Sequence, residues 1–219
     1  MMGVDLRLYA IVDPETSGGH DLAGLARRLV VGGATLIQLR DKRSETRAMV
    51  TRARAINAAI GSVPLLINDR VDVALAAGCA GVHVGQEDMA AEDARRLLGP
   101  QAIIGLSIKT VVQAEAAPLD IIQYAGIGGV FGTTSKSTTS KPIGPAGLKA
   151  VIDALHRRKP GFLTCGIAGI NERNAAEVIA AGADGISVIS ALSLAPDPQA
   201  AAQRLRAIVD GALSKRSAA

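Results

Sequence analysis

From Leu6 to Leu213 the chain alternates short, β-rich apolar runs with longer Ala-, Arg- and Glu-rich segments whose apolar positions recur at helical spacing. That rhythm is the pattern of parallel βα units rather than of a sandwich or a helical bundle. Eight strands are predicted, at Leu6–Asp13, Thr35–Asp41, Pro64–Asp69, Gly81–Gln86, Ala102–Ile108, Ile121–Gly128, Gly161–Gly166 and Gly185–Ser190. Each is followed by a helical pattern, including Asp21–Val31, Glu45–Ile60, Ala91–Leu98, Ala146–His156, Asn171–Ala181 and Pro198–Leu213. Asp21, Ser44, Asn171 and Asp197 stand where N-caps belong, and glycines such as Gly61, Gly78 and Gly182 stand just past helix ends. Eight such units predict a single (β/α)8 TIM barrel of the α/β class over residues 1–213, with 214–219 as a disordered tail. An open doubly wound sheet is the alternative fold.

Composition narrows the picture. The chain has 219 residues, 48% of them apolar, which is enough to build a core without metals or disulfides. Its two cysteines, Cys79 and Cys165, each lie in an apolar run, so no disulfide framework is expected and a cytoplasmic setting is. Asp5, Arg7 and Asp13 interrupt the N-terminal apolar stretch, which excludes a membrane span there. A net charge of +4 is mild, and two Phe, two Tyr and no Trp leave little to stack on bases, so nucleic acid is not an expected partner. Small anionic substrates fit the sign of the charge.

In a barrel of this class the active site lies at the C-terminal ends of the strands. The second strand ends in QLRDK, and alternation puts Gln38, Arg40 and Lys42 on one side, with Leu39 and Asp41 on the other. A salt-bridged strand end would account for Arg40, but inward charges in a barrel need partners, which favours an anion site. Asn68-Asp69 and Glu87-Asp88 fall in loops after adjacent strands, where two carboxylates can share one hard cation such as Mg2+. Asp at a strand end also simply caps the next helix. Ser107 and Lys109 share a face at the fifth strand's end, with Lys109 read as a solvated lysine. His83, mid-strand, is expected to be a hydrogen-bonded core residue, and neither cysteine has the local partner a nucleophile requires. Gly169 and the Ile189-Ser190 pair are candidates for a phosphate clamp, because the loops after strands seven and eight commonly hold one. The loop GTTSKSTTSK offers Thr133, Thr134, Ser135 and Lys136 as hydroxyl and ammonium donors to a phosphate.

Together QLRDK, NDRVDVALA, GVHVGQEDM, VFGTTSK and AGADGISVISAL resemble the thiamine-phosphate synthase family, from about Leu8 to Leu194. The resemblance implies a (β/α)8 transferase that uses Mg2+ to join hydroxymethylpyrimidine diphosphate to thiazole phosphate, releasing pyrophosphate. It implies that Gln38, Leu39, Arg40, Asp41, Lys42, Asn68, Ser107 and Lys136 surround the pyrimidine diphosphate, and that Asp69 and Asp88 hold the metal. It places Thr133, Thr134 and Ser135 at the thiazole and Gly169, Ile189 and Ser190 at its phosphate. The family's reaction is dissociative, so Arg40, Lys42 and Lys136 would act on the departing pyrophosphate, with no side-chain nucleophile. The partners implied are these two small molecules; a homo-oligomer is compatible with the sequence. Ala168 departs from the family's habit of Gly-Gly-Ile at the end of the seventh strand. A thiazole phosphate tautomerase and a non-catalytic phospho-ligand sensor on the same barrel are the competing readings.

Overall fold

The computed structural model describes residues 4–133 and 141–218. Eight parallel strands close in sequence order: β1 (Leu8–Val12), β2 (Leu36–Leu39), β3 (Leu65–Asn68), β4 (Gly81–Val84), β5 (Ile103–Ile108), β6 (Tyr124–Gly128), β7 (Thr164–Ile167) and β8 (Gly185–Val188). Because β1 pairs with both β2 and β8, the sheet has no edge, which rules out the open doubly wound alternative. Around it lie α1 (Leu22–Val31), α2 (Thr46–Ala59), α3 (Val71–Ala77), α4 (Ala91–Leu98), α5 (Val111–Ala116), α6 (Gly144–Arg158), α7 (Ala175–Ala180), the one-turn α8 (Ser190–Ser193) and α9 (Pro198–Ser217).

The strands are apolar on both faces, and alternation divides them between two cores. Leu8, Ala10, Val12, Ile37 and Leu39 pack outwards against the helices, whereas Tyr9, Leu36, Leu66, Ile103, Tyr124 and Cys165 fill the barrel. The interior is tight enough to dictate a glycine: a Cβ at Gly105 would stand 2.1 Å from the Tyr124 ring. Above this apolar floor the inward positions turn polar, with Gln38, His83 and Ser187 all buried.

Several boundaries differ from the sequence expectation for local reasons. The sixth strand begins at Tyr124, not Ile121, because Ile121 and Ile122 donate to the Pro118 carbonyl in a turn. The seventh begins at Thr164, since Phe162 closes a turn onto Lys159. The eighth ends at Val188, and Ser190 starts α8 instead of ending the strand. Asp21 and Asp197 cap their helices as expected, but Ser44 does not: its amide donates to Asp41 Oδ1 at 3.0 Å and the helix starts one residue later. Asn171 likewise lies outside α7, its amide bonded to Asn174 Oδ1 at 2.9 Å. The C-terminal tail is the largest correction. Ser214 to Ser217 continue α9, and Arg216 donates to the carbonyls of Ile179 and Ala183, at 3.2 and 2.7 Å, and to Asp184.

Candidate active site

Polar side chains gather where β1 to β5 end. Gln38 reaches inwards to the Tyr9 hydroxyl. Two residues on, Arg40 forms an ion pair with Asp13, whose side chain is only 1% exposed. Lys42 then pairs with Asp69. The salt-bridged alternative to an anion site at this strand end is therefore what the side chains form, at the C-terminal end of β2. Arg40 engages Asp13 through Nη1, and a guanidinium carries five donors in a rigid fork, so an ion pair of this kind orients it for a second anion. Leu39 and Asp41 face the other way, as alternation requires. Leu39 is buried against the helices, and Asp41 accepts from the amides of Arg43 and Ser44 and from Arg52 on α2. Burial alone would raise the Asp41 carboxyl, but these bonds and the Arg52 charge outweigh it and hold it below the usual carboxylate range.

Asp69 follows β3 with φ of 62°, a left-handed conformation that Asp tolerates better than most residues. Its amide donates to the His83 carbonyl at 2.9 Å, which fixes the loop against β4. Asp88, from the loop after β4, accepts from the Gly85 amide at 2.8 Å, and its carboxylate is close enough to act on Asp69. Burial, and then the neighbouring Asp88 charge, raise the Asp69 carboxyl; Lys42 opposes them without cancelling them. The charged form of Asp69, disfavoured by burial and by its acidic neighbour, is relieved by a cation. Among the described residues no group of three or more His, Cys, Asp and Glu could hold a metal; Asp69 and Asp88 offer a hard-oxygen pair. Mg2+ commonly uses such a pair and completes its shell with substrate and water oxygens.

Ser107, on β5, touches His83 Nε2 through Oγ at 2.9 Å, and its carbonyl accepts from Gln86 at 2.7 Å. Ser107, Asp88, Gln86, Lys109 and Thr133 line one cavity of about 390 Å3. Lys109, read as a surface lysine, thus belongs to the wall of the mouth. A neighbouring cavity of about 490 Å3 is lined by Thr133, Ala168, Gly169, Asn171, Ile189 and Ser190. Thr133, Ile167 and Ala168 border both. Gly169 has φ of 66°, and a Cβ there would stand 2.3 Å from the Gly132 carbonyl oxygen. The side-chain amides of Asn171 and Asn174 donate to its carbonyl at 3.4 and 3.0 Å, holding the turn in place. A further recess of about 1100 Å3 between α1 and α2 contains none of the candidate residues.

A model of the family described as thiamine monophosphate synthase matches residues 8–192. The chain is 47% identical to a thiamine-phosphate synthase of Agrobacterium fabrum over 99% of both chains, and 44% identical to one from Moorella thermoacetica over 95% of this chain and 98% of that one. The chain belongs to the thiamine monophosphate synthase family. A solved thiamine phosphate pyrophosphorylase from Pyrococcus furiosus, 35% identical, superposes with a TM-score of 0.83 over 96% of this chain and 98% of its own.

Measured against the family resemblance, the structure brings Gln38, Arg40, Lys42, Asn68, Asp69, Asp88 and Ser107 to adjacent strand ends, and Thr133, Gly169, Ile189 and Ser190 to the second cavity. Leu39 and Asp41 lie behind the mouth, with Leu39 in the outer core and Asp41 bonded to Arg52. Thr134, Ser135 and Lys136 lie outside the described residues. His83 is a bonded core histidine, as expected, between Tyr124 Oη at 2.8 Å and Ser107. Both cysteines are free, and burial pushes the Cys79 thiol up to about 11 and raises Cys165 as well, which disfavours the thiolate at both. Asp13, Tyr9 and Tyr124 were not singled out from sequence. The available signal for Asp13 was its place at the end of the first strand, in phase with Tyr9 on the inward face. No helix among the described residues is long and apolar enough to cross a membrane.

Proposed function

We propose that this member of the synthase family couples hydroxymethylpyrimidine diphosphate to thiazole phosphate, with Mg2+, giving thiamine phosphate and pyrophosphate. The observation that carries the reading is the juxtaposition of Arg40 and Lys42 with the Asp69–Asp88 pair at neighbouring strand ends. A diphosphate needs cations around it and a metal to bridge it, whereas isomerising a thiazole would need neither. Bound at Asp69 and Asp88, Mg2+ would supply charge neutralisation to the diphosphate. Arg40 and Lys42, joined by Lys136, stabilise the negative charge that grows on the pyrophosphate as the carbon–oxygen bond breaks and the electron pair leaves with oxygen. The thiazole nitrogen then donates its lone pair to the methylene carbon, forming the carbon–nitrogen bond. The second cavity, with the fixed Gly169 turn, suits the thiazole phosphate, and holding both reactants in adjoining cavities supplies the proximity. The free thiols fit a reducing compartment, and we place the reaction in the cytoplasm.

Purified protein supplied with both substrates should form thiamine phosphate with Mg2+ and lose turnover in chelator. Full turnover in chelator would exclude the metal, and conversion of a thiazole tautomer without condensation would establish the tautomerase instead. In the same assay Lys136→Ala should cripple turnover while Lys141→Ala, in the second copy of the TTSK sequence, is mild. Equal losses would assign function to both copies.

A further inference from the structure

The barrel interior carries a continuous chain of hydrogen bonds that ends at the mouth. Gln38 Nε2 and Tyr124 Oη both donate to the Tyr9 hydroxyl oxygen, the latter at 3.0 Å. Tyr124 Oη lies 2.8 Å from His83 Nδ1, and His83 Nε2 lies 2.9 Å from Ser107 Oγ. The rings of Tyr9, Tyr124 and His83 are mutually packed, with centroids 5.5 to 6.4 Å apart. Gly105 and Gly126 leave the room: a Cβ at the first would strike Tyr124, and one at the second would stand 2.8 Å from His83 Cε1.

Each bond constrains the next. With its proton directed to Tyr9, Tyr124 offers His83 lone pairs, the arrangement in which Nδ1 carries the hydrogen. Nε2 is then the acceptor, and the Ser107 proton points down to it. The Ser107 oxygen is left with its lone pairs facing the cavity that Asp88, Gln86 and Lys109 line.

We propose that His83 is a positioning residue: held by Tyr124 as the Nδ1–H tautomer, it turns Ser107 into an obligate hydrogen-bond acceptor at the mouth. Ser107 therefore selects a ligand that presents a donor there, an exocyclic amine or ring N–H of a heterocycle. The choice of ligand rests on the synthase reading above, but the tautomer does not. Because the buried tyrosines keep their protons, the polarity of the chain is fixed before substrate arrives, which is the pre-organisation that electrostatic selection requires.

The test is nitrogen-15 NMR of the imidazoles in the full-length protein. The chain has three histidines, and His83→Gln identifies the relevant signals by their loss. The expected result is a pyrrole-type Nδ1 and a pyridine-type Nε2 for His83 across neutral pH. The opposite assignment overturns the proposal whatever the protein catalyses. In Tyr124→Phe the tautomer should become mixed and kcat should fall about tenfold, the rate equivalent of one hydrogen bond, with KM for the thiazole phosphate unchanged. His83→Gln, whose Oε1 can still accept from Ser107, should keep more kcat than His83→Ala. An unchanged tautomer in Tyr124→Phe, or equal loss in both His83 variants, would show that His83 only fills space. If no variant and no wild-type sample turns over while the Nδ1–H tautomer is found, the synthase reading fails and the relay stands.

Discussion

Arg40 shows how much one buried partner sets the behaviour of a site residue. Asp13 is almost inaccessible, and it accepts both Arg40 and, at 2.8 Å, the Glu15 amide. Removing one member of a buried pair leaves the other charge uncompensated, at a cost of about 3–5 kcal/mol when burial is complete. Arg40 is 15% exposed at the mouth and keeps some hydration, so Asp13→Asn should cost about 2–3 kcal/mol. Urea unfolding measures this directly, and kcat/KM should drop with it because the guanidinium loses its anchor. A loss under about 0.5 kcal/mol, typical of a neutral surface change, would mean that the pair is incidental. The sequence exposed Arg40 through the alternation in QLRDK, and that argument survives in the opposed directions of Arg40 and Asp41. It could not expose Asp13 as the partner, because the pairing joins residues 27 apart across two strands and depends on register.

At the scale of elements, the seventh βα turn carries a strain that the local sequence cannot relieve. Ala168 has φ of 77° and is followed directly by Gly169 at 66°. A left-handed conformation costs an L-residue roughly 1–2 kcal/mol, whereas glycine adopts it freely and gives back about 0.4–1 kcal/mol in the entropy of the unfolded chain. Ala168→Gly should therefore stabilise the protein by about 0.5–1 kcal/mol, raising the melting temperature by a few degrees. A lower melting temperature would show that the methyl group's contacts at the wall of the two cavities outweigh the backbone strain. Strand and helix identities were readable because their apolar periodicities are long and unambiguous. The ends were not, since they turn on single bonds: the Asp41 carboxylate claims the Ser44 amide before Ser44 can cap α2, and Asn174 does the same to Asn171. These displaced caps occur beside the candidate site, where side chains serve the loop geometry before the helix.

At the scale of the whole molecule, the barrel's closure depends on the last helix. A closed sheet abolishes strand edges, but its outer helical ring must also be sealed where the chain ends meet. α9 does this by packing against α1, α7 and β1, burying Ala201, Ala202, Leu205 and Val209. Composition alone made Ser214 to Ala219 look like a frayed tail, because it is small, polar and lacks an apolar face. What orders Ser214 to Ser217 is long-range. Arg216 reaches the α7–β8 connection, taking the Ile179 and Ala183 carbonyls and the Asp184 carboxylate, and Asp184 in turn accepts from the Thr164 amide at 2.9 Å. A charged donor to a carbonyl contributes about 1.5–3 kcal/mol when buried, but Arg216 and Asp184 are about a third exposed, which cuts this to about 1 kcal/mol. Arg216→Ala should then lower the melting temperature by about 2–4 °C, the shift expected per kcal/mol for a domain of this size. Amide exchange should rise in the last turn of α9 and at the start of β8 together, because one side chain ties both. Exchange confined to the last turn, with an unchanged melting temperature, would return these residues to the status of a tail and leave Asp184 to hold β7 and β8 on its own.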